Sequence, residues 1–223
     1  FGLAVPEAFG GSGLGLIEIG IVCEELGRAV APVPLLASVV LGGLPVAQFG
    51  TPAQQQRLLP GVAAGTTILT AALLELGGDE PWHPATTARR DGNGWRLDGV
   101  KVGVPAADLA ATILVPARTD RGVAVFLVDP KAAGVTIASQ VLTNGEPHGR
   151  LTLAGAAAEV LVDDVRGAAA IHWMVERATV AYCALQIGIC DAALRMTAAY
   201  TTERRQFDRP IATFQAVQQR AAD

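Results

Sequence analysis

Two arginine-bearing words stand out among the residues that could do chemistry. One is Glu176-Arg177; the other is Glu203-Arg204-Arg205-Gln206-Phe207, with Phe214 and Gln215 soon after. A positioned carboxylate can take a proton from a substrate, and the guanidinium fork binds phosphate oxygens in pairs. The bland alternatives are a solvated helical ion pair and a solvated helix end. His83, His148 and His172 have no mutual spacing suited to a metal and read as surface or loop positions. Cys23, Cys183 and Cys190 also lack metal-ligand spacing, so no metal site is expected. Cys183 and Cys190 share one face of a helix-like stretch, about 10 Å apart along the axis, too far for a disulfide. All three cysteines read as small buried hydrophobes in a reducing compartment. No GxSxG nucleophile word is present. Gly10-Gly11-Ser12-Gly13-Leu14-Gly15 lacks the GxGxxG spacing and a clear preceding strand, so it is not a convincing phosphate loop. Trp82, Trp95 and Trp173 are expected to pack rather than to stack on a cofactor.

The elements that must position these residues follow from patterning. Of 223 residues, 51% are hydrophobic and only 17% charged, with a net charge of −4, which excludes a disordered chain. Only 5% are aromatic, so Ala, Val and Leu carry the apolar weight. No run of Lys and Arg marks a nucleic-acid surface. No window offers the roughly 18 uncharged apolar residues of a membrane span; Gly103–Ala117, the best, contains Asp108. The chain therefore reads as a cytoplasmic protein with neither nucleic acid nor membrane as a partner.

Residues 1–67 read as a small helical domain. Leu16, Ile19, Val22, Cys23 and Leu26 fall at helical spacing, with Gly27 as a plausible stop. Thr51, Pro52 and Gln54 spell a capping box for a second helix. Residues 68–165 change period. Ile68–Leu74, Trp95–Val104, Ala111–Pro116, Val123–Val128, Arg150–Leu153 and Glu159–Val162 are short strands, with turn signals at Asp91–Gly94, Thr119–Gly122 and Asn144-Gly145. Strands without intervening helices predict an antiparallel barrel or sandwich rather than a parallel sheet. Residues 166–223 return to helix. Ala178, Ala181, Ala184, Gly188 and Ala192 make a stripe that lets another helix approach closely. The pattern stops near Asp208-Arg209-Pro210, and a further helix starts by Thr213. The fold class is thus α+β multidomain: N-terminal helices, central antiparallel barrel, C-terminal helical bundle. Residue 1 is Phe and the last residues read as a helix in progress, so both ends look cut.

That order, with particular words at its joints, resembles the acyl-CoA dehydrogenase family. Val5-Pro6-Glu7-Ala8-Phe9-Gly10-Gly11 is similar to the family's VPEEYGG, and Gly50-Thr51-Pro52 through Pro60 to its GTxEQKxxxLP. Gly99-Val100-Lys101 resembles the G-x-K of a central strand. Glu203–Ile211 followed by Phe214-Gln215-Ala216-Val217-Gln218 closely matches ERxQFGxPIxxFQxVQ. The resemblance implies α,β-dehydrogenation of an acyl-CoA thioester, with FAD as hydride acceptor and an electron-accepting flavoprotein as partner. It also implies that Arg204 reaches the pyrophosphate of a neighbouring subunit's FAD, with Gln206, Phe207, Phe214 and Gln215 along the adenine side. Some family members carry their catalytic base immediately before an arginine on the long helix. Glu176 holds that position, with Arg177 as its structural partner and a candidate substrate contact.

Other family words are altered. The flavin-cradling TEPxAGSD appears as Leu73-Leu74-Glu75-Leu76-Gly77-Gly78-Asp79, so Leu74 stands where a threonine would bond the flavin. KxWIT or KxWIS appears as Lys101-Val102-Gly103-Val104-Pro105, without the ring at Gly103 or the hydroxyl at Pro105. Own-barrel flavin contacts are thus expected to be lost while the half serving a neighbour is kept. This resembles the non-catalytic partner subunit of actinobacterial α2β2 acyl-CoA dehydrogenases acting on steroid side-chain thioesters. The alternatives are a self-sufficient homotetramer using Glu176 as base, and a non-enzymatic acyl-CoA-binding scaffold of the same fold.

Overall fold

The computed structural model describes every residue except Asp79, Asn93, Asn144 and Asp223, and only the backbone of Ala222. The aspartate of the altered flavin word and the asparagines of two expected turns thus lie outside the described residues.

The first third is helical. α1 spans Leu16–Ala29; its start lacks a side-chain cap, and Glu18 reaches back to accept from the Gly15 N–H at 2.8 Å. A π-helical stretch, Leu36–Gly43, runs into α2, Leu44–Phe49. α3, Pro52–Ala63, has the expected capping box: Thr51 Oγ1 accepts from the Gln54 N–H at 3.3 Å, and Gln54 Oε1 accepts from the Thr51 N–H at 2.9 Å. The same Gln54 donates through Nε2 to Glu159 at 2.7 Å and to the Val160 carbonyl at 2.9 Å, tying α3 to the strands.

Among the described residues seven strands follow: β1 Leu69–Ala71, β2 Thr87–Asp91, β3 Gly94–Pro105, β4 Thr112–Arg118, β5 Val123–Val128, β6 Val135–Val141 and β7 Pro147–Val162. β4, β2, β3, β7 and β5 form a ring, because β5 pairs again with β4. β1 lies beside β4, and β6 beside β7. The barrel is mostly antiparallel, but β1 and β2 both run parallel to β4. Leu97, Ile113, Val115, Phe126, Val128, Leu151 and Leu153 fill one core, while Leu114, Val125 and Leu127 join the core shared with the helices. β4 and β5 are buried on both faces, which is why they read as unbroken apolar runs.

Three strand expectations need correction. The two runs at 150–153 and 159–162 are one strand, β7, carried through an alanine-rich middle by a bulge at Gly155, whose φ is +65°. β2 was unforeseen because four of its five residues are exposed, three of them charged. β6 was unforeseen because its side chains are mostly half or fully exposed and small or polar.

α4 runs 37 residues, Gly167–Glu203, about 55 Å at the usual helical rise. It packs along α1, and the small-residue stripe supplies the closest approach. A Cβ on Gly188 would lie 1.9 Å from the Glu24 carbonyl oxygen, and one on Gly27 would lie 2.0 Å from that of Leu185. Gly27 is therefore not the helix stop; α1 continues to Ala29 and ends on Val30 with φ +47°. Arg28 clamps the crossing, bonding Glu24 at 2.6 Å and Asp191 at 2.9 Å as well as Glu25. Cys23 is buried here, but Cys183 and Cys190 are exposed, contrary to expectation. His148 is the opposite case: it sits buried on β7 rather than on the surface.

Beyond α4 the chain does not simply restart as helix. β8 (Arg205–Gln206) and β9 (Arg209–Pro210) form a tight hairpin, with Phe207 and Asp208 at φ +52° and +59°. A 3-10 turn, Ile211–Thr213, leads into α5, Gln215–Ala222.

Candidate functional site

Leu73 and Leu74 leave β1 and return against β3, where the Val102 N–H donates to the Leu74 carbonyl at 3.0 Å. Glu75 then turns inward. Its carboxylate accepts from the N–H groups of Ala85 (2.6 Å) and Thr86 (3.0 Å) and from the Thr86 hydroxyl (2.6 Å). It also lies 2.6 Å from Nζ of Lys101, which is fully buried on β3. Burial alone would raise the Glu75 carboxyl; hydrogen bonds from Lys101 and Thr86 and the lysine's charge outweigh it and bring the pKa down to about 2. The glutamate preserved in the altered word is thus a structural pin between the loop and β3.

Between Lys101 and Val104 the β3–β7 register shifts, and Gly103 sits in that irregularity with φ +59°. A Cβ there would meet nothing within 4 Å, so backbone conformation rather than room is what favours glycine. The Gly103 N–H donates to Gln140 Oε1 of β6 at 2.7 Å. Pro105 has no N–H, and its carbonyl accepts from the Thr70 hydroxyl at 2.7 Å. Residues 74, 103 and 105 thus offer no hydroxyl and no aromatic ring, and the N–H groups of 102 and 103 are already used. These barrel residues do not fit a flavin.

The hairpin presents a different surface. The Arg204 N–H donates to the Tyr200 carbonyl at 2.9 Å and its carbonyl accepts from Ile211 at 2.8 Å, which fixes the backbone while the side chain is exposed. Phe207 is 87% exposed, with its ring 6.2 Å from that of Phe214 and nearly perpendicular to it. The Arg209 guanidinium lies 4.2 Å above the Phe214 ring. Gln206, paired with Arg209, and Gln215, at the start of α5, are also exposed. An exposed ring and a half-buried one beside guanidinium and carboxamide groups fit the adenosine and pyrophosphate end of a dinucleotide.

Glu176 lies exposed on α4, its carboxylate 3.4 Å from Nη1 of Arg177. Arg177 stacks 3.8 Å above Trp173 and donates to that residue's carbonyl at 3.1 Å, while Trp173 packs edge-on against Phe49. These contacts involve neither the barrel loop nor the hairpin. A small cavity of about 80 Å³ does adjoin the barrel: Leu26, Pro34, Leu36, Pro105, Tyr182 and Leu185 are among its walls, with His148 and Glu146. Burial, and then the charge of Glu146, push the Tyr182 phenol up. Among the described residues no group of three or more His, Cys, Asp or Glu is placed to hold a metal, and no helix is long and apolar enough to cross a membrane.

Residues 1–66 match the family description "Acyl-CoA dehydrogenase, N-terminal domain", and residues 165–223 match "Acyl-CoA dehydrogenase, C-terminal domain". Together these matches take in more than half of the chain. The chain belongs to the acyl-CoA dehydrogenase family. The barrel occupies the stretch between the two matches. Acyl-CoA dehydrogenase FadE27 of Mycobacterium tuberculosis is 40% identical over 99% of this chain and 58% of its own length. This family member therefore spans about three-fifths of that curated relative. Among solved structures, the Tcur3481-Tcur3483 steroid ACAD superposes with a TM-score of 0.91 at 44% identity, over 99% of this chain and 59% of its own. The ChsE4-ChsE5 complex from Mycobacterium tuberculosis has the same TM-score at 38% identity, over 100% of this chain and 60% of its own.

Sequence reasoning missed Gln140, His148 and Tyr182. Gln140 meets Gly103 from 37 residues away, and no local spacing announces such a pair. The Glu75–Lys101 pair had one available signal: Lys101 is the one charge in the stretch Gly99–Pro105, where a buried charge needs a partner.

Proposed function

We propose that this chain is a subunit of an FAD-dependent acyl-CoA dehydrogenase that completes a neighbouring subunit's cofactor site rather than holding a flavin on its own barrel. The observation that carries the reading is the set of groups at positions 74 and 102–105, where the hydroxyl and aromatic side chains are absent and the N–H groups of Val102 and Gly103 are already bonded. The exposed Arg204, Gln206, Phe207 and Gln215, with the half-buried Phe214, are the half retained, offered to the neighbour's FAD. Bound FAD supplies the hydride acceptor for desaturation of an acyl-CoA thioester; this chain's residues bind and orient its adenosine end. The heteromeric names of the two solved relatives support a homologous partner in an α2β2 assembly, and the word steroid in one supports a steroid side-chain thioester as substrate. An electron-accepting flavoprotein belongs to the same reading. Three free cysteines suit a reducing compartment such as the cytoplasm.

The test is co-expression with an intact homologue. Flavin is expected in the assembled complex and absent from the purified chain alone; a flavin-to-protein ratio near one for the isolated chain overturns the reading. A colourless homo-oligomer that binds CoA thioesters replaces it with the scaffold alternative. In the complex, Arg204→Ala is expected to weaken FAD binding about 10- to 100-fold, the size of a lost charge-assisted contact.

Glu176 is the residue the self-sufficient alternative requires as its base, with Arg177 beside the substrate. In this chain it lies exposed beside Arg177, away from the barrel loop and the hairpin. Glu176→Gln is expected to change kcat of the complex less than about twofold, whereas loss of a general base costs about 100- to 10,000-fold.

A further inference from the structure

We propose that Gln140 is a positioning residue that closes the β3 irregularity at Gly103 and so keeps this barrel free of flavin. The inference deepens the partner-subunit reading and rests on it. β3 and β6 flank β7, and Pro105 and Gln140 stand opposite the same residue, His148, from its two sides. The Gln140 side chain therefore crosses a whole strand to place Oε1 2.7 Å from the Gly103 N–H. That amide needs such a partner, because β3 shifts register between Lys101 and Val104 and the residues of a bulge fall out of the ladder. A half-buried N–H without a partner is costly, and in a binding cradle it is a ready donor for a ligand carbonyl. Here the protein supplies the acceptor itself. The neighbouring N–H of Val102 is satisfied by Leu74, whose loop is anchored by the Glu75–Lys101 pair. Gln140 and Leu74 thus fill, from within the chain, the positions a ligand edge would take.

Two measurements on the full chain test this. Hydrogen exchange at the Gly103 amide is expected to quicken about tenfold in Gln140→Leu, and to stay near the parent rate in Gln140→Glu, which keeps an acceptor. An unchanged rate in Gln140→Leu overturns the assignment. The second measurement restores hydroxyls with Leu74→Thr and Pro105→Thr and titrates FAD, following flavin fluorescence. Adding Gln140→Gly to that background is expected to tighten FAD binding about tenfold. Equal affinity with and without Gln140, including no binding in either, overturns it. Flavin carried by the unmodified chain sinks the partner-subunit reading instead, so the two failures are told apart.

Discussion

Replacing Gly188 with leucine is expected to lower the stability of the chain by about 3 kcal/mol or more, at the upper end of overpacking costs. The Glu24 carbonyl already occupies the space, 1.9 Å from where even a first side-chain carbon would sit. Neither partner can yield cheaply. Gly27 meets the Leu185 carbonyl in the reciprocal way, so α1 and α4 touch backbone to backbone at two points. The Arg28 fork to Glu24, Glu25 and Asp191 then fixes the helices lengthwise. Moving α4 outward by the width of a side chain opens the core built on Ile19, Cys23, Ala178 and Ala181. Gly188→Ala is expected to show the same effect at smaller size. Cys190→Ala, on an exposed position of the same helix, should stay within about 0.5 kcal/mol of the parent. Denaturant midpoints at constant slope make the measurement. A loss below about 1 kcal/mol for Gly188→Leu means that the helices do not cross this closely.

The second large effect concerns the buried ion pair. Glu75→Leu is expected to cost about 3–5 kcal/mol, because it leaves the Lys101 ammonium with no anion inside the barrel. Lys101→Met should cost less, since Glu75 keeps the Ala85 and Thr86 donors. The double variant is expected to recover much of the loss, as two apolar groups need no mutual compensation. Purely additive losses would show that the two residues act independently. Acid sensitivity follows from the same pair. The Glu75 carboxyl lies below its ordinary value of 4.5, at about 2, so its contribution is complete above that ordinary value. The contribution fades as pH falls toward 2 and is lost once the folded-state carboxyl is protonated. Lys101 stays cationic throughout that range, although burial lowers it from its own ordinary value. Glu75→Gln should therefore flatten the acid limb of a stability–pH curve, and an unchanged limb contradicts the assignment.

Much of the architecture was legible because local patterns and tertiary needs agree. Thr51 and Gln54 form their capping box within one turn, and the apolar faces of α1 and α4 point where periodicity says they should. Elements specified only by their neighbours were not legible. β2 carries Arg89, Arg90 and Asp91 and is a strand chiefly because β3 offers it a ladder. The alanines of β7 have little strand preference of their own; Ala154, Ala156, Ala157 and Ala158 are held by β3, and Ala158 by β5 as well. Gly27 was misread for a related reason: a helix-ending glycine and a helix-crossing glycine look alike until the second helix is in place. At the site, Leu74, Gly103 and Pro105 could be singled out along the chain, but the bond from Gly103 to Gln140 could not. It depends on how β3, β7 and β6 lie side by side.

The hairpin after α4 has a thermodynamic consequence. Phe207 combines a left-handed backbone with a ring left almost wholly in water, a conformation that costs about 1–3 kcal/mol for a bulky residue. Among the described residues the turn is closed by the β8–β9 pairing and by the Arg205 guanidinium donating to the Asp208 carbonyl at 2.7 Å, and the perpendicular contact with Phe214 adds little burial to the ring. Any contact that buries the Phe207 ring, from the same protein or from another molecule, offsets part of that cost. Apparent stability should therefore rise whenever the turn is covered.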